Sequence, residues 1–418
     1  MNATMQINIS RLLQDIERYA IYGQHEGGGI TRPSFSKADH DIRHIFIQEL
    51  EEIGLDVSID GAANIWAKKK GTGKKQGSIV IGSHLDTVPN GGKYDGALGV
   101  LMAKEIMITL IENDVMLDHD LEIVSFTAEE SNDFQLSTFG SRAFVGKLQV
   151  EQIRSACDSK GARLSEELEK VGGSLERFFD MAEMRKEKKA FLELHIEQGQ
   201  RLESENISMA VINRVVGTYR SKVSVIGQSN HSGTTMMNDR QDALTAAAEM
   251  ILEVEQYCQK GRNGVVGTVG QLNVLPNAPN IIPGKVDFTL EIRGESDEQM
   301  NKAIMTIQAM WENIAEKRRV SIQQTPFLNQ RPILLDEQLI TLVQQTANKL
   351  NEPYLTMPSM AVHDAAHMAA ITKSVMVFVK SIEGKSHCPE EYSRIEDIEK
   401  AGNLLLHTMV HIDRELID

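Results

Sequence analysis

Little in this 418-residue chain would cross-link it, anchor it in a bilayer or bind it to an anionic polymer. Cysteine is scarce: Cys157, Cys258 and Cys388 are far apart, form no CxxC pair, and their odd number suits a reducing compartment. No run of about 18 apolar residues occurs, which excludes a membrane-spanning helix. The first ten residues, MNATMQINIS, lack a basic segment followed by an apolar one. A cytoplasmic location is the expectation. There is no internal repeat and no low-complexity tract. The formal net charge of -15 argues against nucleic acid and anionic membrane surfaces as partners. It leaves room for a small anionic substrate, because a few local arginines can dominate a pocket.

What is present is an ordinary soluble balance, 41% hydrophobic and 25% charged, over a length sufficient for two or three domains. Short, β-branched apolar runs at residues 78–83 (SIVIGS), 121–127 (LEIVSFT), 190–196 (AFLELHI) and 374–381 (SVMVFVKS) read as buried strands. Residues 97–112 read as an amphipathic helix. Such alternation predicts an α/β fold, a mixed, mostly parallel sheet covered by helices. The middle has another rhythm: strand 221–227, helix 239–259, strand 264–274, strand 283–293, helix 296–317, strand 320–326. That β-α-β-β-α-β order is ferredoxin-like. It predicts an inserted α+β domain at residues 213–328, with 1–212 and 329–418 forming the first domain. The charge-rich, helical stretch 155–189 reads as a solvated elaboration.

Five side chains stand at or just after the ends of apolar runs: His84, Asp95, Glu130, His195 and His387. Their segments are GSHLDTVPNGGKYDG, SFTAEES, ELHIEQG and GKSHCPEEYS. Zinc and similar divalent ions take imidazole and carboxylate ligands. Two ions about 3.5–4 Å apart need a shared ligand, which Asp95 suits, and together activate a water. Taken singly each signal is weak: HxD is common, an EE pair is usually a solvated turn, and a histidine closing a strand is usually a satisfied core residue. As a set they are specific, because all map to the carboxyl edge of one expected sheet, where open α/β folds place ligands.

Asp86, two residues after His84 on an extended strand, would face the same side and could accept the second ring N–H of His84. Glycines 91, 92 and 96 permit the turn that brings Asp95 back. Of the adjacent acids Glu129 and Glu130, one suits a metal and the other proton transfer; spacing alone does not say which. Gln198 offers an amide for a polar substrate. Cys388 reads as a bystander thiol, since oxygen and nitrogen ligands already fill the set. In the expected insertion, His231 could polarise a carbonyl oxygen. Asn280 and Arg293 could hold a carboxylate, arginine in bidentate fashion.

These segments, with NHSGTTMMNDRQDA and LEIR, resemble the dizinc peptidase/aminoacylase superfamily, in its hydantoinase/carbamoylase branch. That branch includes N-carbamoyl-L-amino acid hydrolases, allantoate amidohydrolases and β-ureidopropionases. The similarity runs from GITRPSFS to the last helix. HIEQG is the most telling segment, since the peptidases usually carry an acidic ligand where this branch has histidine. The resemblance implies a zinc-exopeptidase-like fold and two divalent ions (zinc, or manganese, cobalt or nickel), one on His84, Asp95 and His195 and the other on Asp95, Glu130 and His387. It implies Glu129 as general base, and Gln198, Asn280 and Arg293 as substrate contacts. It also implies a homodimer through the inserted domain, with His231 supplied across the interface. The implied activity is hydrolysis of an N-carbamoyl-L-amino acid to amino acid, carbon dioxide and ammonia. Allantoate amidohydrolase, N-acyl amino acid hydrolase or dipeptidase, and a metal-binding protein without activity remain as alternatives. One departure stands out: MPSMAVHDAAH keeps His363 and Asp364 but carries Met360 and Val362 where small residues are usual. The expected effect is on the substrate subsite.

Overall fold

The computed structural model describes residues 5–260 and 264–416. Residues 1–4 of the N-terminal segment, 261–263 of the expected insertion and 417–418 lie outside that range. The chain divides into two compact units. The first comprises Met1–Asn213, Leu335–Met357 and His363–Asp418; the second comprises Arg214–Leu334 and Pro358–Val362.

In chain order the strands are β1 (Asp56–Ile59), β2 (Ile65–Lys69), β3 (Ser78–His84), β4 (Asp120–Phe126), β5 (Lys188–Ile196) and β6 (Met209–Val215). Then follow β7 (Gly217–Ile226), β8 (Asn230–His231), β9 (Val265–Leu275), β10 (Ile281–Ile282), β11 (Lys285–Gly294), β12 (Ser321–Gln330), β13 (Ile333–Leu334), β14 (Tyr354–Ser359) and β15 (Lys373–Val379). The sheet of the first unit runs β1-β2-β4-β3-β5-β15-β6, with β14 on β6. Its middle, β4-β3-β5-β15, is parallel; β1–β2, β2–β4 and β15–β6 pair antiparallel. Parallel strands are covered on both faces, so their sequences read as unbroken apolar runs rather than alternations. β3 is the case in point, buried along its whole length.

Helix Ala97–Glu112 packs on this sheet with nearly its whole surface buried. That explains its near-continuous apolar sequence, ALGVLMAKEIMITLIE. Helix Lys37–Glu52 starts where the Ser36 hydroxyl accepts the Asp39 N–H. The stretch 155–189 is not one long helix. It breaks into Leu164–Lys170, a 3-10 turn at Leu175–Phe178, and Met181–Lys186. Gly172, in the left-handed region, ends the first of these.

The second unit is a four-stranded antiparallel sheet, β12-β7-β11-β9, with helices Ala243–Lys260 and Asp297–Arg318 on one face. β11 alternates half-buried and buried along its length, the period-2 pattern of a strand with one core face. Val286, Phe288, Leu290 and Ile292 point to that core and meet Met250, Ala303, Ile307 and Trp311. The Trp311 indole N–H donates to the Met250 carbonyl at 2.9 Å, which satisfies the one polar atom this large side chain buries. Residues 329–334 and Pro358–Val362 go with this unit, whereas the sequence reading took 329–418 together. Backbone pairing explains the difference: β12 continues against β7 as far as Gln330, and the Val216 N–H reaches the Ser359 carbonyl at 3.0 Å. Among the described residues no helix is long and apolar enough to cross a membrane.

Candidate metal centre

β4, β3, β5 and β15 are neighbours that run the same way, so their carboxyl ends share one edge of the sheet. His84 is the last residue of β3, Glu129 and Glu130 follow β4, His195 closes β5, and the loop after β15 carries His387. Asp95 arrives on the turn after β3. Reciprocal backbone hydrogen bonds between Gly91 and Ile30, 2.8 and 2.9 Å, anchor that turn. Gly96 ends it in the left-handed region, and any Cβ there would run into the His84 ring.

Two groups result, His84–Asp95–His195 and Asp95–Glu130–His387. In each, one candidate ligand atom per residue lies within 4.8 Å of the others. Asp95 belongs to both and turns one oxygen to each. Its Oδ1 is 3.6 Å from His84 Nε2 and 3.2 Å from His195 Nε2; its Oδ2 is 3.4 Å from His387 Nε2. His387 Nε2 is also 3.2 Å from Glu130 Oε1. Cys388 belongs to neither group.

The ring nitrogens are set by backbone carbonyls. His84 Nδ1 faces the Asp86 carbonyl and His195 Nδ1 the Ile196 carbonyl, both at 3.0 Å. A carbonyl only accepts, so each Nδ1 carries a proton; the Nε2 lone pair of His84 faces Asp95, and that of His195 accepts the Gly96 N–H at 3.2 Å. His84 Nε2 is buried with no hydrogen-bond partner, which is unusual for a buried polar atom. The same small volume buries Asp86, Asp95, Glu129, Glu193 and Asp364, with Glu130 beside them. Uncompensated buried carboxylates are costly. An unpartnered His84 lone pair, a doubly shared carboxylate and surplus negative charge together fit a pair of divalent cations.

The electrostatics record that surplus. Burial raises the Glu129 carboxyl well above its ordinary range; His84 opposes the shift, and the charges of Asp364, Glu130 and Asp86 add to it. Burial likewise works against the charged form of Asp95, but His195, His387 and His84 overcome it and hold the carboxylate well below the usual range. Hydrogen bonds to Asp95 and Glu130 lift His387 to about 10.

Two side chains make contacts that their spacing did not indicate. The Asp86 carboxylate faces His84 but is not its nearest partner. β3 stops at His84, so strand alternation does not extend to residue 86, and the backbone carbonyl of Asp86 is the closer partner; Oδ1 is 3.6 Å from Nδ1. The Asp86 carboxylate instead accepts the backbone N–H of Glu129 at 3.2 Å and of Glu130 at 3.1 Å. It therefore orients both acids of the SFTAEES turn, where Ala128 takes the left-handed conformation. Gln198 does not present a free amide: its Nε2 donates to Asp95 Oδ2 at 2.7 Å, while its Oε1 is buried without a partner.

Sequence reasoning also missed the frame beneath the site. Arg32, fully buried in GITRPSFS, donates to the carbonyls of Leu85, Tyr19 and Tyr22 at 2.8, 3.0 and 2.7 Å and thereby fixes the turn after His84. Burial lowers this guanidinium to about 10, against the pull of Asp39 and Asp86. Glu193 accepts from the Ser83 hydroxyl and the Ala365 N–H, both at 2.8 Å. The His363 ring packs 4.4 Å from that of His195. The only signal in the sequence was the oddity of charged residues inside apolar runs.

In the second unit, His231 pairs with Ile281 on a two-residue ladder, β8 against β10; Asn280 immediately precedes β10, and both His231 and Asn280 are exposed. His231 Nδ1 accepts the N–H groups of Gly233 at 3.0 Å and Thr234 at 3.3 Å, and Ser232 N–H donates to the Asn280 carbonyl. Arg293, half-buried on β11, donates Nε to Glu291 Oε1 and Nη1 to the Met360 carbonyl, both at 2.8 Å. Met360 and Val362 are half-buried on the same segment.

Residues 80–411 match the profile of peptidase family M20/M25/M40. The chain is 34% identical over 399 residues to an N-carbamoyl-L-amino acid amidohydrolase of Geobacillus stearothermophilus, covering 96% of this chain and 97% of that one. It is 31% identical to the allantoate amidohydrolase of Bacillus subtilis, covering 92% and 93%. The crystal structure of a hydantoinase/carbamoylase family amidase from Burkholderia multivorans superimposes with a TM-score of 0.91 at 28% identity, covering 99% of this chain and 100% of that chain.

Proposed function

This chain belongs to the peptidase family M20/M25/M40, and from that premise we propose that it is a dimetal amidohydrolase acting on a linear ureido or amide C–N bond outside peptides. The substrate is an N-carbamoyl-L-amino acid, and the products are the L-amino acid, carbon dioxide and ammonia. The observation that carries this reading is the pair of ligand groups joined at Asp95, with Glu129 Oε2 3.7 Å from His84 Nε2.

In the proposed reaction His84, Asp95 and His195 hold one divalent cation, and Asp95, Glu130 and His387 the other. When bound, such a pair supplies Lewis acidity toward the carbonyl oxygen and acidifies water at neutral pH. Glu129 takes a proton from the attacking water and returns it to the leaving nitrogen. Its burial favours this role, because desolvation raises the proton affinity of a carboxylate and makes it a better acceptor. His231 donates to the developing oxyanion; two backbone N–H groups on Nδ1 leave its Nε2–H for that purpose. Arg293 and Asn280 hold the α-carboxylate. Two of the guanidinium's N–H groups are committed to Glu291 and Met360, and the remainder are free to fork onto a carboxylate. Gln198 joins them once its amide leaves Asp95. The native ion is zinc, manganese, cobalt or nickel, all of which accept this mixed ligand set. A homodimer forms through the second unit, whose β9 and β12 expose Leu272 and Phe327.

Allantoate is the second reading, supported by the relative of that name. Metal analysis combined with ammonia release from N-carbamoyl-L-methionine, allantoate and N-carbamoyl-β-alanine tests both. The expected result is two bound ions and a kcat/KM for N-carbamoyl-L-methionine at least about tenfold above the others, a difference of roughly 1.4 kcal/mol in transition-state binding. A preference for allantoate would replace the substrate and keep the chemistry. Metal-loaded protein that releases ammonia from none of the three would overturn the ureidohydrolase reading.

A further inference from the structure

The two loops that complete the site come from opposite ends of the chain, and one buried carboxylate joins them. Glu391, only 4% exposed, accepts with Oε1 the backbone N–H of Tyr94 at 2.9 Å and of Asp95 at 3.0 Å. Its Oε2 lies 3.2 Å from the Ser386 hydroxyl, whose single proton is shared with Asp95 Oδ2, the nearer acceptor at 2.8 Å. A turn in which the Glu391 N–H reaches the Cys388 carbonyl at 3.1 Å aims the carboxylate inward. Gly92 completes the fit, since a Cβ there would collide with the Glu391 carboxyl group.

We infer that Glu391 is a positioning residue that sets Asp95 for both metal groups at once. The inference rests on the two-cation reading above. Its logic is geometric. Asp95 must turn one oxygen toward His84 and His195 and the other toward His387, so the peptide planes on its N-terminal side cannot rotate freely. Consecutive N–H groups converging on a single oxygen fix those planes. Through Ser386 the same carboxylate also reaches the loop of His387, so neither half of the site can shift without the other. Both Glu391 oxygens are occupied by these bonds, which separates it from the ligands themselves. Outer partners of this kind typically change metal affinity about 10- to 100-fold.

The test is calorimetric titration of the metal-free full-length chain with zinc alone, for the wild type and for Glu391→Ala, Glu391→Gln and Gly92→Ala. Glutamine keeps an oxygen for the two N–H groups; alanine removes it; Gly92→Ala leaves Glu391 intact but pushes it away. The expected result is a loss of zinc affinity of about 10- to 100-fold in Glu391→Ala and in Gly92→Ala, with Glu391→Gln within a few-fold of wild type. Turnover of N-carbamoyl-L-methionine by the alanine variant should recover its kcat at saturating zinc, which separates positioning from chemistry. Unchanged zinc affinity in a folded Glu391→Ala variant would overturn the inference, as would equal losses in the glutamine and alanine variants. If Glu391→Ala does not fold, Gly92→Ala and Glu391→Gln carry the same decision. Wild-type protein that binds no zinc would overturn the two-cation reading and this inference with it.

Discussion

The polar side chains of the two units are held in different ways. In the first unit, His84, Asp95, His195 and Glu129 are buried; carbonyls one or two residues away set the rings of His84 and His195, while the backbone N–H groups of Asp95 and Glu129 and the Nε2 of His195 meet partners from distant parts of the chain. In the second, His231 and Asn280 are exposed and held by neighbours a few residues away or by one short ladder. Arg293 is intermediate, half-buried and fixed by Glu291 and the Met360 carbonyl. A buried, cross-braced group keeps its geometry whether or not a ligand is present, because moving it would leave other polar groups unpaired. An exposed, locally tethered group can adjust to what binds. On the proposed function, the first unit supplies preorganised chemistry and the second recognition.

The sharpest way to break this comparison is Glu129→Gln. The substitution keeps the shape and the backbone bond to Asp86 and removes only the proton acceptor. It should lower kcat by about 10²- to 10⁴-fold while leaving bound metal at the wild-type level. Metal content would be measured by elemental analysis and kcat by ammonia release. Loss of metal would mean that Glu129 holds an ion, and the division of roles with Glu130 would have to be reversed.

A smaller effect is expected on the recognition side. Arg293→Lys keeps the charge but not the fork, and cannot hold Glu291, the Met360 carbonyl and a ligand carboxylate together. KM for N-carbamoyl-L-methionine should rise about 10- to 100-fold, roughly 1.4–2.7 kcal/mol of lost carboxylate binding, with a lesser change in kcat and none in zinc affinity. An unchanged KM would remove Arg293 from substrate binding. A change in zinc affinity would mean that the two units are not separable in function.

The metal-facing side chains were legible in the sequence because their signal is local. An apolar run that ends in His, or in an acid after a two-residue turn, declares both the strand and the group at its tip. The β-α-β-β-α-β rhythm of the second unit was legible for the same reason: period-2 and period-3.6 patterns lie within single segments. What was not legible depends on contacts between segments. The bonds of Asp86 to the Glu129 and Glu130 N–H groups were not legible, because they join loops after two different strands. Arg32 and Glu193 lie in GITRPSFS and ELHIEQG, but nothing local gives them a role, because Leu85 and Ser83, which they hold, are 53 and 110 residues away. Glu391 lies in GKSHCPEEYS, which reads as a polar loop, and only the fold brings it against residues 296 and 297 positions earlier. β1, at the edge of the sheet, and β2, between β1 and β4, are short strands whose pairing, not composition, defines them.

The smallest effect concerns the frame of the first unit. His367 Nε2 lies 2.9 Å from the Thr138 hydroxyl and its Nδ1 3.3 Å from Lys147 Nζ. Burial first, then the charges of Lys147 and Arg142, depress this imidazole to about 3. Because the folded value lies below that of the unfolded chain, about 6.5, the unfolded state binds the proton first. The stability tied to a neutral His367 is therefore complete above pH 6.5 and is lost as pH falls from there toward 3, by about 2 kcal/mol at pH 5. His367→Gln cannot titrate and should flatten that part of the acid limb by the same amount. The chain has two tryptophans, Trp66 in the first unit and Trp311 in the second, so single-tryptophan variants report each unit separately. The flattening should appear in Trp66 fluorescence and be absent from Trp311. If the acid limb of His367→Gln instead runs parallel to wild type, the buried polar frame of the first unit adds nothing to its acid sensitivity. The contrast between a rigid, costly polar interior and an adaptable polar surface would then lose its energetic basis.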